Sequence, residues 1–298
     1  MENNTKPAES YNPSAFWRAG NLKSSVRLRL LHSVCQDTLG FLLQQQVELD
    51  TPPTCCIADL GCGNGAWLTR LSHELPNRGN ILPFVPILHG FDINDTLFPH
   101  PENLPESVSL RKADIFARRI PDTAGAYDVV HIREFSTRVL DENTSSLLFR
   151  AGGMLKRGGW LQWEEIDLDS LAIEPAVPDL QMSACEALKQ ALTTGRERKG
   201  RKSDYLYNFK GYLQQNGFEN IQIFEVPVPK LDYKAWTESY LMAWEEATLS
   251  FPSKITEPDA PITREFWAEN LLKAVDETEK GVMVHPETTF TFIARRQI

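Results

Sequence analysis

Short apolar runs and helix-period stripes alternate through most of the chain. Residues 55–60, 87–92, 108–112, 127–131 and 160–164 are compact runs rich in Ile, Val and Leu, bounded by Gly, Pro, Asp or Asn, which is how buried strands read. Between them lie segments long enough for a helix, including 66–75 and 143–155, the second followed by the pair Gly158-Gly159 as a stop. Strands separated by helical crossovers predict an α/β fold with a doubly wound, mostly parallel sheet. Ahead of the first strand, residues 1–10 are polar and are expected to carry no fixed structure, and Asn12-Pro13-Ser14 is a helix start. In residues 24–45 the apolar positions Val26, Leu30, Leu31, Val34, Leu39, Leu42 and Leu43 recur at helical spacing, and Pro52-Pro53 ends the stripe.

The last third is organised differently. A helix over 203–215 and a turn at Gly217 precede a strand over 221–228, and residues 288–295 form a returning strand. Between those strands, residues 232–278 carry Trp236, Tyr240, Trp244, Phe266 and Trp267 at helical spacing. The expected organisation is therefore an N-terminal tail and helical extension over 1–50 and one domain over 51–298, with a helical cap inserted at about 232–280.

Composition narrows the function classes. A net charge of −9 disfavours a nucleic-acid partner, and the basic run at 196–202 reads first as a solvated loop, second as a lid over an acidic substrate. The five cysteines lack C-x-x-C spacing, and no apolar run is long enough for a bilayer, so a cytoplasmic protein with reduced thiols is expected.

One stretch carries most of the chemical information: Ile57-Ala-Asp59-Leu-Gly61-Cys-Gly63-Asn-Gly65. A buried strand runs into a glycine loop that opens a helix, and Gly61 and Gly63 let the backbone pass close beneath a ligand. Asp59 at the strand's end repels pyrophosphate, and the third glycine comes one residue too early for a dinucleotide fingerprint. The loop resembles the first motif of class I S-adenosylmethionine-dependent methyltransferases. Two further stretches, Tyr127-Asp-Val-Val-His-Ile-Arg-Glu134 and Leu155-Lys-Arg-Gly-Gly-Trp-Leu-Gln-Trp-Glu-Glu165, resemble the fungal secondary-metabolite branch. The likeness spans roughly residues 10–225. It implies the Rossmann-like seven-stranded sheet of that family, with an antiparallel edge hairpin, and S-adenosyl-L-methionine as cofactor.

Strand tips then acquire expected roles, because ligands of open α/β sheets bind outside the carboxyl ends of the strands. Asp59 faces the methionine ammonium, and Gly61 and Gly63 lie beneath the methionine. Asp92 accepts from the ribose hydroxyls, with Asp95 as a rival. The resemblance further implies that Asp114 takes the adenine amine and the Ile115 amide a ring nitrogen, with Ile93 packed on the adenine face. His131 is either a general base or a ring packed on the cofactor. Arg133 and Glu134 either pair with each other or contact substrate. Trp163, Glu164 and Glu165 border the substrate, and Glu164 is either a base or a salt-bridge partner of the N-terminal helix. Tyr11, Trp17 and Arg18 fold over the cofactor, Arg18 as partner of its carboxylate, or their helix merely packs on the sheet. No metal set is evident. The expected activity is methyl transfer to oxygen or nitrogen of a small organic acceptor. A cofactor-assisted rearrangement and a non-catalytic regulator on the same fold stay open as alternatives. No nucleic-acid or membrane partner is expected, and oligomeric state is not legible.

Overall fold

The computed structural model describes residues 22–49, 55–75, 86–117, 120–135, 141–197, 204–248, 251 and 262–297. Tyr11, Trp17, Arg18, Pro52-Pro53 and all of the basic run beyond Glu197 lie outside the described residues.

A seven-stranded sheet organises the chain, built from β1 (Cys56–Leu60), β2 (Ile87–Asp92), β3 (Val108–Lys112), β4 (Tyr127–Arg133), β5 (Leu155–Ile166), β7 (Phe218–Pro227) and β9 (Thr288–Arg296). Its order is β3-β2-β1-β4-β5-β9-β7, with β9 antiparallel to both neighbours and the β3 to β5 pairs parallel. Strand order reverses between β1 and β4, the switch point of a doubly wound sheet. Successive residues serve opposite faces, as the period of two requires. Ile57 and Val129 pack with Trp67, Leu68 and Leu71 of α2 (Ala66–Glu74). Ala58 and Val130 join a core with Leu147 and Leu148 of α3 (Asp141–Met154) on the other face.

The helical stripe expected over 24–45 is cut short. Helix α1 (Leu22–Leu39) stops where Gly40 takes φ +76°, its N–H bonding the Gln36 carbonyl at 2.8 Å, the left-handed cap that glycine permits. Leu42, Leu43 and Val47 stay buried in irregular chain, pinned by Gln162, whose side chain accepts from the Gln44 N–H and donates to the Leu42 carbonyl, both at 2.8 Å. A second correction concerns Gly158-Gly159. These residues lie inside β5, where the β4 pairing jumps from Tyr127↔Leu155 to Val129↔Trp160, so they form an irregularity in a strand that starts directly after α3. Gly158 takes φ +75° there, and its carbonyl accepts from the Arg295 side chain at 2.7 Å.

The cap is larger than the sequence pattern suggested. Besides α7 (Tyr233–Ala247) and α8 (Arg264–Glu279), it includes α4 (Ser183–Glu197), and an antiparallel pair of β6 (Leu171–Pro175) with β8 (Val282–Pro286). The helix expected over 203–215 is broken into α5 (Asp204–Tyr207) and α6 (Phe209–Gln215). Trp236, Trp244 and Trp267 form the cap's own core with Cys185, Leu188, Val282 and Val284, and α1 contributes Val34 and Cys35. No helix among the described residues is long and apolar enough to cross a membrane.

Thr38 joins α1 to the cap. Its hydroxyl donates to Asp232 at 2.9 Å and accepts from the Trp236 indole at 3.0 Å, all buried. Replacing it by Val keeps the shape and strands both partners, a loss of ~1–3 kcal/mol. Urea denaturation of Thr38→Val followed by tryptophan fluorescence is expected to show that drop in the midpoint; an unchanged midpoint would refute this role.

Candidate functional site

The glycine loop is fixed from two sides. The Gly61 and Cys62 N–H groups both donate to the Phe91 carbonyl, at 2.7 and 3.1 Å, folding the loop onto β2. Asp92 at the tip of β2 accepts from the Gly63 N–H through one oxygen and the Asn94 N–H through the other, both at 2.9 Å. From above, the Asn64 side chain donates to the Ser25 carbonyl of α1 at 2.9 Å. The left-handed φ of +75° at Gly61 and +54° at Gly63 already favours glycine, and the space above them is taken. A Cβ at Gly61 would lie 2.3 Å from the Phe135 ring, and one at Gly63 3.0 Å from Leu28.

Beside this loop is a cavity of about 370 Å³, within the range of small-molecule sites. Asp59, Gly61, Gly63, Asp92, Ile93, Asp114, Ile115 and His131 all line it, which brings together every strand-tip residue expected to meet the cofactor. Asp114 is held by a turn, accepting from the Phe116 N–H at 2.9 Å. Asp95 is turned to a solvent-exposed ion pair with Lys112 at 2.8 Å and does not line the cavity. Arg18 lies outside the described residues.

His131 and Glu164, each a candidate base with an alternative role, are both held in pairs between neighbouring strands. Asp59 and His131 are register partners across β1 and β4, as are Arg133 and Glu164 across β4 and β5. Directly opposed side chains on one face meet. His131 Nδ1 is 2.8 Å from Asp59, Nε2 is 3.5 Å from Glu164, and the ring stacks on Trp67 with centroids 3.7 Å apart. Burial alone would lower the His131 pKa, but Asp59 and Glu164 together raise it above the ordinary histidine value. Glu164 accepts from Arg133 Nε and from Gln162, each at 2.5 Å. Against the opposing effect of burial, Arg133 and then His131 hold its carboxyl down to about 2, and it does not line the cavity. A general base with such a pKa would be ineffective at neutral pH. Arg133 also reaches His32 of α1 at 3.2 Å; burial first, then Arg133, lower that histidine to about 4, so it is neutral beside the guanidinium.

Trp163 and Glu165 do not line the cavity either. The Glu165 carboxylate accepts from the Phe135 N–H at 2.8 Å and the Trp163 indole at 3.3 Å, and so positions Phe135 over Gly61.

The expected pairing of Arg133 with Glu134 is not found. Glu134, directly after β4, takes φ +58° and lines the cavity. Burial first, and Glu165 next, push it up to about 8. The same wall receives Trp236, Tyr240 and Trp244 from α7, and Arg27 of α1 paired with Glu246 at 3.2 Å. The sequence carried one signal for this, the helical aromatic stripe of the cap, which serves core and cavity together.

These carboxyls have opposite effects on stability. The folded pKa of Glu164 lies below its ordinary 4.5, so its contribution is complete above that value and is lost as pH falls toward 2. That of Glu134 lies above, so stability falls as pH rises from about 4.5 toward 8. Thermal unfolding across this range is expected to show a shallower acid limb for Glu164→Gln and, for Glu134→Gln, a smaller loss of stability as pH rises toward 8. Parallel profiles for all three proteins would contradict both assignments.

No family model matches the chain. Curated proteins align with parts of it. Methyltransferase grgD of a Penicillium species is 30% identical over 119 residues, covering 39% of this chain and 40% of its own. N-methyltransferase verN of Clonostachys rogersoniana is 28% identical over 154 residues, half of each chain. Methyltransferase psoC of Aspergillus fumigatus is 26% identical over 214 residues, 69% of each. The chain thus spans about half or less of the length of the first two relatives. Among solved structures, a chain from the complex of the Haloferax volcanii Trm112 methyltransferase activator with its methyltransferase superposes with a TM-score of 0.51 at 13% identity, covering 95% of this chain and 98% of that one.

Proposed function

We infer, from a methyltransferase fold and sequence kinship with fungal methyltransferases, that this chain moves a methyl group from S-adenosyl-L-methionine to oxygen or nitrogen of a small organic acceptor, a secondary metabolite. One observation carries the reading: the acids that end β1, β2 and β3, namely Asp59, Asp92 and Asp114, converge with Gly61 and Gly63 on a single cavity at the switch point. Nitrogen as acceptor has support in the N-methyltransferase name of one relative.

The residues present fit the cofactor. The cradle admits no Cβ at Gly61, and the buried Trp67 indole N–H in the cavity wall has no hydrogen-bond partner among the described residues. Asp92 accepts from two backbone N–H groups, one at each oxygen, and as an acceptor-only group at the tip of β2 it would suit the ribose hydroxyls. Asp114 would hold the adenine amine, the Ile115 amide a ring nitrogen, and Ile93 would cover the ring face. Asp59, its other side fixed by His131, would face the ammonium. When bound, the cofactor supplies a methyl group on a sulfonium already activated toward nucleophiles. What is left to the protein is to hold acceptor and donor in line and to exclude water, which can supply much of the acceleration.

Calorimetry with S-adenosylhomocysteine is expected to show binding, to lose it in Gly61→Ala, where the new methyl meets Phe135, and to weaken it about tenfold or more in Asp114→Ala, the equivalent of one hydrogen bond to a charged group. Labelled S-adenosylmethionine incubated with fungal metabolite extract should then yield a methylated product. Absence of binding to folded wild-type protein removes the reading. Binding followed by product formation without a transferred methyl replaces it with a cofactor-assisted rearrangement.

A further inference from the structure

The cap contributes a chemically distinct part of the cavity wall. Trp236, Ala243 and Trp244 of α7 and Leu192 of α4 give it an apolar, aromatic part, bordered by Lys189 and Arg196 of α4 and Ser239 and Glu246 of α7. Within it stand two polar groups that the fold leaves nearly unemployed. Tyr240 is 8% exposed, lines the cavity, and its hydroxyl has no hydrogen-bond partner among the described residues. The Glu134 carboxyl is in no ion pair among the described residues, and its side-chain contact is a distant one, the Cys35 thiol at 4.0 Å. A carboxyl without a close partner, on a backbone at φ +58°, is costly twice over, and such costs gather where a site needs them.

We propose that this cap-side wall is the acceptor subsite, that it takes an apolar, ring-bearing molecule carrying an O–H or N–H, and that Glu134 accepts the proton of that group while the Tyr240 hydroxyl holds the same molecule. This rests on the methyl-transfer reading above. As the acceptor's lone pair bonds to the methyl carbon, the carbon–sulfur pair stays with sulfur and the acceptor's proton passes to the Glu134 carboxylate. His131 and Glu164, the other candidate bases at these strand tips, are committed to each other and to Asp59 and Arg133. Groups facing Glu134 come from every packed element: Arg27 and Cys35 from α1, Arg133 from β4, Glu164 and Glu165 from β5, Tyr205 from α5 and Tyr240 from α7. The acids and burial outweigh the two arginines, and the carboxyl is tuned upward into the range where a base both holds and releases a proton near neutral pH.

The test uses 2-naphthol, an apolar ring with one O–H whose excited state passes its proton to a hydrogen-bonded base and then emits as naphtholate. With S-adenosylhomocysteine present, 2-naphthol is expected to quench tryptophan emission and to show naphtholate emission that grows as pH rises through the titration of Glu134. In Glu134→Gln the probe should still bind, with naphtholate emission reduced about tenfold, as expected when the acceptor within hydrogen-bond reach is removed. Ala243→Trp, which fills the wall without touching the glycine loop, should weaken 2-naphthol by about tenfold or more, as blocking an apolar pocket does. Both variants should bind S-adenosylhomocysteine within about twofold of wild type, since neither alters the loop's hydrogen bonds. Unchanged emission in Glu134→Gln overturns the role of Glu134. Equal 2-naphthol binding in Ala243→Trp, or none in wild type, overturns the subsite. Failure of S-adenosylhomocysteine to bind wild type instead strikes the cofactor reading, which keeps the two failures apart.

Discussion

Two acids, a histidine and an arginine meet almost out of water at the tips of β1, β4 and β5, and the site is built around their pairing. Asp59 holds His131, His131 faces Glu164, and Glu164 holds Arg133. Removing one member of such a buried set leaves its partner uncompensated at a cost of ~3–5 kcal/mol, whereas the intact set adds little net stability. Its value is therefore positional. Each charge fixes the rotamer of the next, across three adjacent strands whose register puts Asp59 opposite His131 and Arg133 opposite Glu164. Because His131 holds one side of it, Asp59 faces the cavity in a set position.

That constraint also explains which parts of the site were legible in sequence. The Asp59 loop could be read because local geometry writes itself into local residues: glycines at positive φ, an acid at a strand end, a helix directly after. Asp92 and Asp114 followed from the same rule applied to the next strands. Arg133 and Glu164, 31 positions apart, are joined only by the pairing of β4 with β5. Local pattern left His131 and Glu164 as candidate bases; their pairing with Asp59 and Arg133 is a property of the assembled sheet that local pattern does not carry.

The misread elements have the same origin. Leu42 and Leu43 continue the helical stripe of α1, yet Gly40 ends the helix, and Gln162 from β5 captures the backbone beyond it. Gly158-Gly159 looks like a helix stop from its composition, but β5 has already begun, and the glycines serve an irregular pairing with β4. The β6–β8 pair joins segments more than a hundred residues apart, so neither short strand carried a signal of its own. Glu134 was hidden differently: its neighbour Arg133 offered an obvious local partner, and the long-range pair with Glu164 withdrew it.

Helix α1 links all of these parts physically. Leu28 lies over Gly63 and Ser25 receives Asn64, which fastens the helix to the glycine loop. His32 takes a contact from Arg133, which fastens it to the charged strand tips. Arg27 pairs with Glu246 and Thr38 with Asp232, which fastens it to the cap. Residues Ser24, Arg27, Leu28, Leu31 and His32 line the cavity along that same helix. Any displacement of α1 would therefore act at once on the glycine cradle, the Arg133–Glu164 pair and the cap. Coupling between the two ends of the cavity thus requires no separate device, because one rigid element carries contacts to both.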